Sequence, residues 1–155
     1  MRRQRVAAAT ALLGLALLAP AHAGRPCNEP QALKVETLER SLGLALSTLK
    51  TLDASGARVV VMARPGQDLS KYGIRYSHLG FVYQQPDGQG GQVWRVLHKL
   101  NQCGTAESAL YRQGLAEFFS DDLFDFEAGL VVPTPAVQDA LRPLLQDNTD
   151  RKSVV

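Results

Sequence analysis

The stretch 76–100, YSHLGFVYQQPDGQGGQVWRVLHKL, decides the fold. Tyr76–Tyr83 and Val93–Leu100 are rich in β-branched and aromatic residues. Between them, Pro86-Asp87-Gly88 and Gly90-Gly91 supply hairpin chemistry, so two antiparallel strands are expected. A connection centred on Gly88 sets Tyr76/Leu100, His78/His98, Gly80/Val96 and Val82/Trp94 opposite one another on one face, because side chains alternate with period two. A two-residue turn at Asp87-Gly88 shifts the register by one and sets His78 against Leu97 instead. Register therefore decides whether the two histidines meet.

Working outward, Ala57–Arg64 (ARVVVMAR) is β-branched and short, and Pro65-Gly66 closes it as a third strand. Gln67–Arg75 is a polar loop. Leu38, Leu42, Leu46, Leu49 and Leu52 recur in steps of three and four, so residues 31–53 read as an amphipathic helix with these leucines on its apolar face, ended by Asp53-Ala54-Ser55-Gly56. Thr105 to Phe119 reads as a second helix beginning just after Cys103. Phe126–Val132 is a further strand, and Pro133-Thr134-Pro135 opens a last helix, with Thr134 placed to cap it and Pro143 to kink it. The expectation is an α+β domain: a small antiparallel sheet on strands 57–64, 76–84, 92–100 and 126–132, with the 31–53 and 105–119 helices packed against it.

The ends read differently from this body. Arg-rich Met1–Arg5, the apolar run Val6–Leu18 and Ala21-His22-Ala23 have the layout of a secretory signal peptide over residues 1–23. That run is too short to span a bilayer, and no later stretch approaches the about 18 apolar residues a span requires. A periplasmic location is the expectation. At the other end, residues 150–155 (DRKSVV) show no periodicity and look like translated sequencing adapter. Residues 24–149 are then the authentic domain, incomplete at its C-terminus.

Of the 155 residues, 45% are hydrophobic and 21% charged, as in an ordinary folded domain. The formal charge of +2 disappears once Arg2, Arg3 and Arg5 are set aside: residues 24–155 hold 14 Lys+Arg against 15 Asp+Glu. Without a basic patch interleaved with aromatics, nucleic acid is not an expected partner.

Chemistry must come from few residues, since the body of the chain has two histidines, His78 and His98, and two cysteines, Cys27 and Cys103. A cysteine at a helix start is acidified by the helix dipole and unsatisfied amides. With a histidine on a neighbouring strand and a polar group to orient that histidine, Cys103, His78 and His98 fit in outline the template of a thiol nucleophile. Against this stands a Cys27–Cys103 disulfide, the common use of paired cysteines outside the cytosol and worth about 3–5 kcal/mol in the chain-entropy model. Two histidines with no third ligand at suitable spacing leave a zinc site incomplete, so neither metal nor cofactor is expected. Asp121-Asp122 read as helix-ending residues. Tyr72, Arg75 and Tyr76 could line a cleft.

Several strings occur in order: Gly66-Gln67-Asp68-Leu69-Ser70-Lys71-Tyr72-Gly73, Arg75-Tyr76-Ser77-His78, Gly80-Phe81, Leu100-Asn101, Cys103-Gly104-Thr105, Ser108, Leu110-Tyr111, Gln113-Gly114-Leu115, Phe118-Phe119 and Asp121-Asp122. Together they resemble the bacterial family catalogued as domain of unknown function 2145. The resemblance implies a secreted proteobacterial protein longer than this chain, and brings no established activity. Ser77-His78-Leu79-Gly80-Phe81 also resembles the circularly permuted papain-like cysteine enzymes. They carry Ser-His-x-Gly on one strand, a polar residue on the next and a cysteine later at a helix start, often farther downstream than Cys103. That resemblance implies His78, His98 and Cys103 in these roles. Two functions follow as expectations: a thiol hydrolase or acyltransferase acting on amide or thioester bonds of the envelope, such as peptidoglycan stem peptides or lipoproteins, or a non-catalytic, disulfide-stapled periplasmic binding module.

Overall fold

Strand β1 (Val59–Arg64) lies one strand in from an edge of the sheet, with β2 (His78–Pro86) on one side and the edge strand β5 (Gly129–Val131) on the other, both antiparallel to it. In this computed structural model the described residues are 34–102, 105, 107–121, 123–147, 149 and, for the backbone alone, 151–153. The chain divides into two units. One comprises Met1–Asn28 with Asn101–Glu107, the other Glu29–Leu100 with Ser108–Val155. In the first, the described residues form a turn in which Thr105 N–H donates to Gln102 O (3.1 Å) and Gln102 N–H to Glu107 O (2.8 Å).

The second unit holds the α+β architecture expected from the sequence. Its sheet continues from β2 to the antiparallel β3 (Gln92–Asn101), then β4 (Ser108–Gln113) and the short parallel β6 (Arg151–Ser153), giving the order β5-β1-β2-β3-β4-β6. The β2–β3 register follows neither of the two expected. Gly80 stands opposite His98, Val82 opposite Val96 and Pro86 opposite Gln92. The cause is the five-residue turn Asp87–Gly91. Asp87 Oδ1 accepts from the N–H groups of Gln89 (2.8 Å) and Gly91 (2.9 Å), while Gly88 and Gly90 take positive φ of 79° and 90°.

Helix α1 (Val35–Ala54) lies on one face of the sheet together with the short α2 (Leu115–Ser120). Their core joins Ala45 and Leu52 of α1 to Val60, Met62, Val82, Trp94 and Val96 of the sheet and to Leu115, Phe118 and Phe119 of α2. The buried positions of α1 are Ser41, Ala45, Thr48 and Leu52, which share one face at helical spacing. Leu38, Leu42 and Leu46, expected inside, are 39%, 45% and 53% exposed. The helix therefore presents its small residues to the bulky aromatics and keeps only the last of the leucine series fully inside. Trp94 Nε1–H donates to Asp53 Oδ1 (2.7 Å), and Gly56, at φ 66°, ends the helix as expected.

Helix α3 (Pro135–Gln146) covers the opposite face, where Leu145 packs with Val59, Tyr83 and Leu97. Thr134 holds the N-cap position, but its side chain makes no capping bond, and the helix continues through Pro143 to Gln146. Buried Gln138 ties α3 to the sheet: its Oε1 accepts from Arg58 N–H (2.8 Å) and Val59 N–H (3.1 Å), and its Nε2–H donates to Pro133 O (2.8 Å).

The helix expected over 105–119 is mostly something else. Ser108–Gln113 is strand β4, and helix begins only at Leu115, after an extended Gly114. The helix-dipole argument for Cys103 falls with it, because the residues that follow enter a strand.

Candidate functional site

His78 opens β2 directly across from Arg64, the last residue of β1, and His98 lies one diagonal step away on β3. Because positions 78 and 80 share a face and Gly80 is the direct partner of His98, the two imidazoles point into the same space. Gly80 makes room for this. A Cβ there would come within 3.0 Å of both His98 Cβ and Leu97 O. The rings meet at 80° with centroids 5.0 Å apart, and His78 Nε2 lies 2.7 Å from His98 Nδ1. His98 Nε2 in turn lies 2.6 Å from Gln113 Oε1, supplied by β4.

Proton positions follow from the orientation of the Gln113 amide. The Gln113 carbonyl oxygen only accepts, so His98 carries its hydrogen on Nε2. In the neutral ring Nδ1 of His98 is then an acceptor, and His78 must donate to it from Nε2. What remains is the lone pair on His78 Nδ1: a line of three side chains ending in one available base.

Arg64 and the end of α2 close the cluster. Arg64 is 3% exposed. Its Nη1–H donates to Phe118 O and to Asp121 O (3.1 Å), and its Nη2–H to Asp121 Oδ2 (2.6 Å). Its Cζ sits 4.5 Å from the Phe118 ring centroid, and the same ring lies 5.9 Å from His78 and 5.2 Å from His98. Burial pushes His78 down to about 4, reinforced by the positive charge of Arg64 and by His98 and opposed by Asp121. His98 is also pushed down by burial, with the Gln113 bond and Asp121 working against burial and Arg64 with it. Both rings are thus uncharged at neutral pH.

Of the residues expected from the sequence, His78 and His98 are brought together, while Cys103 and Cys27 lie outside the described residues, as does Asp122. Asp121 follows the last residue of α2 as expected and also holds Arg64, a role its sequence position did not suggest. Gln113 and Arg64 were missed. Each sits on a strand facing the histidines, and only the observed register and the assignment of β4 place them there. Among the described residues no group of three His, Cys, Asp or Glu is placed to hold a metal ion.

Beside this cluster, Pro65 forms part of the wall of a cavity of about 420 Å³ that also involves Ile74, Arg75, Phe124 and Glu127. Arg75 pairs with Glu127 through both Nε and Nη2. Of the three residues expected to line a cleft, Arg75 does so, while Tyr72 and Tyr76 are not part of this wall.

No curated protein and no solved structure matches the chain. A family model does match, over residues 51–155, a span that begins in the last turn of α1 and includes Arg64, His78, His98 and Gln113; the chain belongs to the family described as an uncharacterized protein conserved in bacteria, DUF2145.

Proposed function

We propose that the protein is an exported hydrolase or acyltransferase of the bacterial envelope that uses a thiol nucleophile on amide or thioester bonds, with His78 as its proton acceptor. The observation that carries this reading is the line Gln113–His98–His78, which orients an uncharged imidazole and leaves Nδ1 of His78 as its free base. A base held in one tautomer by a second and a third polar group is the arrangement that thiol and hydroxyl nucleophiles require. Cys103 is the proposed nucleophile, and the signal-like residues 1–23 support export.

In the proposed reaction His78 Nδ1 takes the thiol proton and the sulfur attacks the carbonyl carbon. As the tetrahedral intermediate collapses, the leaving amine or thiol recovers the proton from His78. Water, or an acceptor amine or hydroxyl, then attacks the thioester and frees the sulfur, its own proton passing through His78.

Iodoacetamide labelling of the purified periplasmic protein tests the reading. Expected are free Cys103, alkylated at neutral pH faster than an ordinary thiol, and a marked slowing in His78→Ala. Cys103 that resists labelling until reduced, with a mass showing a Cys27–Cys103 bond, contradicts it and supports the disulfide-stapled binding module. Labelling indifferent to His78→Ala contradicts it equally.

A further inference from the structure

We propose that Arg64 is a positioning residue of the His78–His98 pair: its buried guanidinium, clamped by the end of α2, sets a fixed positive charge beside the imidazoles and adds to burial in disfavouring their protonation. The proposal rests on the reading of His78 as a proton acceptor, which must be unprotonated to work. Three observations support it. Arg64 and His78 are direct partners across the β1–β2 ladder. The guanidinium is immobilised by Phe118 O, Asp121 O and Asp121 Oδ2, and it shares the Phe118 ring with both imidazoles. The ion pair is also unequal: the Arg64 side chain is 4% exposed and that of Asp121 52%. Water screens the carboxylate more than the buried guanidinium, so the field at the rings stays net positive. Among the described residues, the charged or titratable groups acting on His78 are Arg64 from β1, His98 from β3 and Asp121 after α2, with the neutral amide of Gln113 beyond His98. A guanidinium that served only to staple β1 to α2 would leave the proton affinity of the rings untouched when its charge alone is changed.

The test is an NMR titration of the imidazoles in the full chain, which reads the rings and not the thiol, so failure here is separate from failure of the labelling experiment. His78 is expected to titrate near 4 in the wild type and in Arg64→Lys, and to move part of the way toward the ordinary 6.5 in Arg64→Gln, burial keeping the rest of the shift. A folded Arg64→Gln whose His78 still titrates near the wild-type value overturns the proposal. Should Arg64→Gln fail to fold, the double variant Arg64→Gln/Asp121→Asn is compared with Asp121→Asn, so that only the guanidinium charge differs between them. A higher His78 midpoint in the double variant supports the proposal, and an unchanged or lower one overturns it.

Discussion

Gly80 stands directly opposite His98 in the β2–β3 ladder, so close that a side chain there would force its neighbours apart: an added Cβ would lie 3.0 Å from His98 Cβ, 3.0 Å from Leu97 O and 3.1 Å from Val96 Cγ1. Two of these three atoms belong to β-carbon or main chain and cannot swing away. Gly80→Ala is therefore expected to cost about 1–3 kcal/mol, in the range of overpacking, and to spread the His78–His98 contact. Denaturant unfolding measures the first effect, and the downfield imidazole proton of the 2.7 Å bond reports the second. A variant of wild-type stability with that proton unchanged contradicts the packing described.

Acid sensitivity follows from the same pair. Both histidines have native proton affinities below their ordinary values, so the unfolded chain binds protons first. Their contribution to stability is complete above the unfolded value near 6.5 and is lost as pH falls through the window down to about 4, where His78 titrates in the native state. Asp68, Asp87 and Glu127, whose carboxyls are held below their ordinary range mainly by hydrogen bonds, add their losses only at lower pH. Unfolding free energy is expected to decline from pH 7 to pH 5 in the wild type and to be flatter in His78→Gln. Equal slopes in the two proteins contradict the assignment.

Helix α1 offers a test in which sequence periodicity and packing disagree. Leu42 and Leu46 belong to the most regular apolar series in the chain, yet they face outward, while Leu52 is 1% exposed within the aromatic core. Leu42→Ala and Leu46→Ala are expected to change stability by no more than about 0.5 kcal/mol. Leu52→Ala is expected to cost about 2–5 kcal/mol. Comparable losses at all three positions indicate that the periodic face, and not the face bearing Ser41, Ala45 and Thr48, is the buried one.

Gln138 allows a local test of the other face of the sheet. Its carbonyl oxygen accepts from two main-chain donors where the chain enters β1, Arg58 N–H and Val59 N–H. Gln138→Leu leaves the buried Val59 N–H without its acceptor, at a cost of about 1–3 kcal/mol, and releases the half-buried Arg58 N–H at a smaller one. Faster amide exchange at Arg58 and Val59, together with a lowered unfolding midpoint, is expected. Unaltered exchange at these two amides contradicts the tie.

What could be read beforehand divides along physical lines. The strands at 57–64, 76–84 and 92–100 were legible because β-branched residues and a Gly-rich turn are local signals. The meeting of the histidines was legible as a possibility tied to register. The register itself was not, because it depends on Asp87 closing a five-residue turn through its carboxylate. Ser108–Gln113 reads as helix in sequence because it runs into Leu115, Phe118 and Phe119, whose steps of three and four are helical. Its strand character comes from pairing in the sheet, and Arg112 on the far face is accommodated by the Leu145 and Asp147 carbonyls, which no local pattern announces. Arg64 stands in sequence only as the last residue of a strand. Only tertiary structure brings Asp121 and Phe118 to it.

The central claim is that Gln113, His98 and His78 form one directional line of uncharged groups. It is tested most directly by a long-range ¹H–¹⁵N correlation spectrum of the imidazole nitrogens at pH 7. The structure predicts that both histidines are neutral Nε2–H tautomers with unprotonated Nδ1, and that Gln113→Leu releases His98 from that tautomer. An Nδ1–H tautomer at His98, or an imidazolium at either position, would contradict it.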